Sequence, residues 1–236
     1  MLVYAFFSSI LFSFLYQFST IDKVKLQYLI SRSTCDYCKT TIKYIDLIPI
    51  FSFLILRGTS RCCHKRLKYN YIIGEILALL PIPLIYYNVI HTNPQIYLTI
   101  YLFLLIMSLN DIDYFSINIH FLIMFLLILF FTNHTFPHSF FLTFIISHIC
   151  YLIIHQYIGY GDILLFNILS LFLPIEYIFY IVLFTFIIGG FISIFIKIFL
   201  NPNITRIPLI PFIFLSFIFV SSYFPLLNDF LGGIFI

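Results

Sequence analysis

Charge is what this sequence has least of. Only 9% of its 236 residues are Asp, Glu, Lys or Arg, against 62% hydrophobic. No soluble domain of that size can cover so much apolar surface with so few ions. A polytopic membrane protein is what remains, and helices are the element for it, because they satisfy their own backbone polar groups in lipid. Tryptophan is absent, while Phe reaches 32 residues; with the richness in Ile, Asn and Lys this reads as base-composition bias, without functional content. No Pro/Gly/Ser-rich linker and no internal repeat is visible. The first apolar run, Leu2 to Phe18, has no basic residue before it and no Ala-x-Ala-like site after it, so it reads as a retained anchor rather than a cleaved signal.

What charge there is sits in one place. Ten of the twelve Lys and Arg residues and four of the five cysteines lie between Thr20 and Asn70. The positive-inside rule puts that short loop in the cytoplasm and the N-terminus outside. Seven further apolar runs follow, near Tyr71–Ile90, Gln95–Asn110, Ser116–Phe131, Ser139–Tyr157, Asp162–Leu173, Tyr177–Phe199 and Pro208–Leu227. Polar and Pro-containing breaks separate them, among them Thr132-Asn133-His134 and Asn201-Pro202-Asn203. The expectation is an all-α fold of about eight transmembrane helices with a cysteine-containing cytoplasmic loop and both termini outside. It divides into a first helix (1–19), a basic loop (20–70) and a seven-helix membrane core (71–236). Lys197 and Arg206 fall at the seventh break, which this count makes cytoplasmic.

With nine acidic residues in all, a carboxylate beside a long apolar run is a functional candidate by default. Asp111 ends the third run and Asp162 begins the sixth, and an out-and-back hairpin joins the two, so both are expected at the cytoplasmic edge. Two acids brought close can share one proton, one activating water while the other protonates the departing amine. Gly159 and Gly161 flank Tyr160 just before Asp162 and would let the backbone bend and approach a substrate. Asp162 also fits an ordinary helix cap. Asp113 competes with Asp111, since two residues apart on a helix they face different ways; Asp111 is favoured as the one nearer the apolar run.

The loop cysteines run Cys35-Asp36-Tyr37-Cys38 and then Cys62-Cys63-His64. In a reducing compartment this pattern reads as tetrahedral zinc on thiolates. Cys35, Cys38 and Cys63 are three ligands; Cys62 or His64 has to complete the set, because Ser60 stands where a second CxxC would begin. Cys150, in the fifth run, reads as a small buried hydrophobe. The segment from Asp46 to Ser52 reads as lying on the membrane surface.

These residues together resemble the type IV prepilin peptidases, membrane aspartic proteases with a GxGD motif. The resemblance covers most of the chain. It rests on Phe12-Ser13-Phe14-Leu15, where Phe12 stands in place of a usual Gly; on Ser33-Thr34-Cys35-Asp36-Tyr37-Cys38; on Asp46 to Ser52 with Leu56-Arg57-Gly58; and on Tyr71 to Glu75. It is sharpest at Asn110-Asp111-Ile112-Asp113, whose first Asp corresponds to a catalytic one, and at Gly159-Tyr160-Gly161-Asp162. Ile163 replaces a frequent Lys, and Ile117-Asn118 stands where Leu-Pro is common. The resemblance implies removal of the basic leader from prepilin-like proteins or, in the competence branch, pseudopilins. It also implies S-adenosylmethionine-dependent methylation of the new N-terminus in many members, with Glu75 as a candidate second-site residue; a helix N-terminal acid is the plain alternative for Glu75. Proteolysis needs no cofactor. The implied surroundings are the cytoplasmic membrane and its lipid, with no direct nucleic-acid partner. A proton-coupled transporter, or a non-catalytic pilus-assembly subunit, is the alternative use of such carboxylates.

Overall fold

A computed structural model describes residues 1–20, 32–35, 37–132, 134–154, 158–200 and 206–231. The basic stretch 21–31, Asp36, Asn133, the end of the fifth expected run through Tyr157, and the break Asn201-Pro202-Asn203 lie outside those residues. Among the described residues every extended regular element is a helix. Contacts divide the chain into two units, Met1–Tyr86 and Tyr87–Ile236.

The first unit holds α1 (Leu2–Ser19), a 3-10 turn (Tyr44–Leu47), α2 (Phe51–Ile55), α3 (Tyr69–Leu77) and α4 (Pro81–Tyr86). Helix α1 packs on α3 and α4. Its approach to α3 requires Gly74: a Cβ there would lie 2.0 Å from the Phe12 ring, and Phe12 is fully buried. The residue that departs from the family resemblance at position 12 thus finds its room in the missing side chain at 74. The second expected run is not one smooth helix. Ala78 ends α3, the amides of Leu79 and Leu80 bond three residues back, and Pro81 starts α4. Pro81 and Pro83 lack the N–H groups that a continuous helix needs; proline is at home only at such a start.

The second unit holds α5 (Pro94–Tyr114), α6 (Ile119–Phe130), α7 (Pro137–Ile154), α8 (Tyr160–Phe172), α9 (Ile175–Phe195, continued by a π-helical turn Ile196–Leu200) and α10 (Ile210–Leu231). Helix α5 is the core. It is buried from Ile100 through Asp111 without a gap, as expected of a helix apolar on all sides. Aromatic pairs lock it to its neighbours: Tyr97 on Phe217 and Tyr101 against Phe214 from α10, and Phe103 on Phe121 and Phe125 from α6. Asn93 caps α5 and Asn118 caps α6, each side chain accepting the amide two residues on. Ser147 of α7 donates to Asn167 of α8 across 3.2 Å.

Among the described residues, five helical stretches are long and apolar enough to cross a membrane: Leu2–Ser19, Tyr69–Tyr86, Pro94–Tyr114, Ile175–Phe199 and Ile210–Phe230. Ile119–Phe130, Pro137–Ile153 and Tyr160–Phe172 are shorter and also apolar. At 1.5 Å per residue, α8 spans about 20 Å, short of the ~30 Å hydrocarbon core; it is instead buried along much of its length. Cys150 corrects its expectation, since it is exposed on α7 beside exposed Ile146, Ile149 and Ile153. A surface that meets lipid is as apolar as a core, so hydrophobicity alone does not bury a side chain here.

Candidate active site

Helix α5 carries Asp111 at its last buried position, where the side chain is 8% exposed. Four residues on, the helix stops at Phe115, whose left-handed backbone (φ 51°) donates its amide to the Asp111 carbonyl. Asp111 Oδ2 accepts the N–H of Ile210 at 3.2 Å, with the Leu209 amide also facing it. Ile210 opens α10, so this carboxylate sits at a helix N-terminus, the end whose unpaired amides favour an acid. Asp113, two residues on, is exposed.

Asp162 lies in the first turn of α8, three residues past the N-cap Gly159. Its side chain reaches back to the Gly159 amide, and the charge of Asp111 acts on it directly. The charge of one acid is thus felt at the other, although about fifty positions separate them in sequence. The glycines owe their place to something other than a bend. Gly159 has an ordinary extended backbone (φ −69°, ψ 140°), and Gly161 is a regular helical residue. Space is the reason: a Cβ at Gly159 would sit 3.1 Å from Asp162 Oδ2, and one at Gly161 would sit 2.7 Å from Ile117 Cδ1.

Cys35, Cys38, Cys62 and Cys63 form a cluster with every Sγ within 4.8 Å of the others. The fold reaches this through two copies of one turn. Thr34 bridges Thr41 and Thr59 bridges Arg66. Within them Cys35 N–H bonds Thr40 O and Lys39 N–H bonds Cys35 O, just as Ser60 N–H bonds Lys65 O and His64 N–H bonds Ser60 O. Lys39 and His64 both adopt positive φ. This short repeat corrects the reading of a sequence without one; within the turns Thr34/Thr59 and Cys38/Cys63 are identical, and Arg32/Arg57, Lys43/Lys68 and Tyr44/Tyr69 flank them at the same offset. Ser60 occupies the place equivalent to Cys35, and its Oγ is 2.9 Å from Cys63 Sγ.

The fourth thiol comes instead from Cys62, whose Sγ is 3.0 Å from Cys38; Cys35 and Cys63 are 3.9 Å apart. His64 is not part of the cluster. Metal–sulfur bonds of about 2.3 Å in a tetrahedron give sulfur–sulfur edges of about 3.8 Å, and an all-sulfur donor set is the chemistry zinc takes, so the residues fit the ion. Contact with Thr40 Oγ1 and then with Cys62 Sγ brings the Cys38 thiol down to about 6, toward the thiolate that a ligand must be, while the Cys62 thiol is pushed up to about 11.

Glu75, in α3, is buried. Ser13 Oγ donates to Oε1 and the Ile50 N–H to Oε2, both at 2.7 Å, and Ser9 Oγ holds the Glu75 carbonyl. Ser13 was not singled out as a site residue from sequence, although it lay within the resembling Phe12-Ser13-Phe14-Leu15; its spacing of 62 positions from Glu75 left no local signal.

Two family models match the chain. One, described as the bacterial peptidase A24 N-terminal domain, matches residues 6–89; the other, described as the type IV leader peptidase family, matches residues 98–194. Among curated proteins, the prepilin leader peptidase/N-methyltransferase of Pectobacterium carotovorum subsp. carotovorum is 44% identical over 48 residues, 20% of this chain and 17% of that protein. The protein of the same name from Bacillus subtilis (strain 168) is 33% identical over 72 residues, 30% of this chain and 29% of that one. A type 4 prepilin-like proteins leader peptide-processing enzyme of Escherichia coli O78:H11 (strain H10407 / ETEC) is 36% identical over 56 residues, 24% of this chain and 21% of that one. The matched stretches thus span less than a third of each relative's length. No solved structure matches the chain.

Proposed function

We propose that the chain is a membrane aspartic endopeptidase of the type IV leader peptidase family, whose model matches residues 98–194, with the bacterial peptidase A24 N-terminal domain matching 6–89. It removes the basic leader of prepilin-like precursors, with pseudopilins of a DNA-uptake machine as the favoured substrates. Asp111 at the buried end of α5 and Asp162 in the first turn of α8, with the charge of the first acting on the second, support this reading. One carboxylate takes a proton from the attacking water while its neighbour gives one to the departing amine. Backbone amides at the start of α10 and at Gly159 orient the two side chains. Proteolysis by this route needs no cofactor.

The apolar helices lie in the cytoplasmic membrane, the shorter ones such as α8 packed among those long enough to cross it, with lipid around them and both termini outside. Ten cations in the 20–70 loop and the later Lys197 and Arg206 mark the cytoplasmic side. The scissile bond, which follows a basic leader and precedes an apolar helix, is thereby met at the inner lipid boundary. Zinc on Cys35, Cys38, Cys62 and Cys63 pins the two turns of the loop to each other. The relatives' printed names include an N-methyltransferase, and methylation of the freed N-terminus with S-adenosylmethionine is the second activity we assign, with Glu75 of the first unit as its candidate residue.

The test is cleavage of a co-expressed pseudopilin, with the product's N-terminus read by mass spectrometry. The parent is expected to release the leader, and Asp111→Asn and Asp162→Asn each to lose at least a thousandfold in rate. Substantial cleavage by either variant would reject the aspartate pair.

A further inference from the structure

Serines and threonines in these apolar helices commonly turn back onto their own backbone. In α10 Ser216 Oγ donates to Phe212 O and Ser222 Oγ to Ile218 O. Thr143 in α7, Ser170 in α8 and Thr185 in α9 behave in the same way. Ser221 does not. It is fully buried, and its Oγ has no hydrogen-bond partner among the described residues. Its carbonyl is unusual too. Pro225, four residues on inside α10, has no N–H to give it. The amide of His91 donates to Ser221 O instead, at 3.1 Å.

Two tyrosines meet the same stretch of α10. Tyr97, near the start of α5, stacks on Phe217 with ring centroids 5.3 Å apart. Tyr177, near the start of α9, stacks on Phe224 at 3.8 Å. Both tyrosines are at most 3% exposed, and neither hydroxyl has a hydrogen-bond partner among the described residues. Positions 217, 221 and 224 are spaced four and three apart, so they share one face of α10. Tyr97 and Tyr177 therefore flank Ser221 along that face. Helices α5 and α9 both run antiparallel to α10, since Tyr101 meets Phe214 and Phe184 meets Phe219. A long side chain on a helix leans toward the N-terminus of that helix. The two phenols thus point to the end of the bundle opposite Asp111, where Thr92 Oγ1 is also buried without a partner among the described residues.

A buried hydroxyl left unpaired is costly, most of all where solvent cannot reach it. Three of them along two turns of one helix face call for a shared partner. Each hydroxyl can both donate and accept, and water is the ligand that answers both. An internal water makes about three hydrogen bonds to groups otherwise unpaired. In membrane-spanning helices such waters, with neighbouring elements, restore the bonding that a proline removes. We propose that the face of α10 around Ser221 carries a site for one or two internal waters, held by Tyr97, Tyr177 and Ser221. The waters link α5, α9 and α10 at the turn whose carbonyl His91 secures. Helix α10 also supplies the amide that orients Asp111, so the site braces the far end of that helix. No step of this involves cleavage, and it stands apart from the peptidase reading.

The experiment is microsecond X-ray hydroxyl-radical footprinting of the full-length protein in nanodiscs. The radicals form from water itself, and a buried side chain is oxidised only where water lies beside it. Tyr97 and Tyr177 are compared by mass spectrometry with Phe103 and Phe125, which are equally buried and stack on each other. Each rate is divided by that of the same residue in the unfolded chain. The tyrosines are expected to react at least tenfold faster than the phenylalanines. Ser221→Val, which sets methyl groups where the hydroxyl was, should cut both tyrosine rates at least threefold; if that variant fails to fold, the rates of the parent decide by themselves. Tyr97→Phe and Tyr177→Phe each remove a partner of the water and should lower the unfolding temperature by about 2 °C or more. Tyrosine rates as slow as those of Phe103 and Phe125 overturn the proposal. So does a rise in unfolding temperature in both Phe variants, the result of deleting a hydroxyl that had no partner to lose.

Discussion

Asp111 and Asp113 are two residues apart, and that step gives them different surroundings, which is why the proposed mechanism uses the first. Asp111 is buried and oriented by the Ile210 amide, and its charge acts on Asp162, whereas Asp113 is exposed. Asp113→Asn is therefore expected to keep at least a third of the parent's cleavage rate in the pseudopilin assay; total loss would show that the wrong acid had been chosen. A second choice between neighbours concerns the metal. Ser60 holds the position that symmetry of the two turns gives to a ligand, and Cys62 supplies the thiol instead. About one zinc per chain is expected by mass spectrometric metal analysis. Cys62→Ser should lose it, and the double change Cys62→Ser with Ser60→Cys should regain it by restoring the regular pair. If the double variant stays empty, the fourth ligand lies elsewhere. In sequence the irregular spacing left Cys62 and His64 as rivals, and only the turn's backbone separates them.

Between elements, contact distance matters more than helix propensity. Helices α1 and α3 meet where Phe12 fills the space left by Gly74, and Ser9 and Ser13 then come into line with Glu75. Gly74→Ala must displace a fully buried ring, and overpacking of this kind costs about 1–3 kcal/mol. A lowered unfolding temperature is the expected result, with recovery when Phe12→Leu is added. Absence of any effect would mean that the two helices are not held this closely. Gly161 is a milder case. Its obstacle is the flexible end of Ile117, so Gly161→Ala should change thermal stability by less than half as much. The resemblance points to Gly161 as a motif glycine, whereas in Tyr71 to Glu75 it rests on the stretch as a whole and gives Gly74 no role; the need for glycine there comes from Phe12, 62 positions away.

For the whole molecule, the charge pattern makes a directional claim. Cys38 and Cys62 are exposed on the chain, and the proposed topology would put them inside the cell. A membrane-impermeant maleimide applied to intact, metal-depleted cells should leave both unlabelled, and should label them after lysis. Labelling from outside would invert the topology. The sequence by itself determined the helical class, because so few charges leave the bilayer as the only solvent for so apolar a chain. It also determined where helices start and stop to within a few residues, since Asn, Pro and Gly act locally through caps and missing donors. What only the tertiary structure decided are the partnerships across distance: Asp111 with the first amides of α10, Phe12 with Gly74, Ser13 with Glu75, Cys62 in place of Ser60. Each depends on which faces of two helices or turns touch, and in a chain apolar on every side no hydrophobic stripe records that choice.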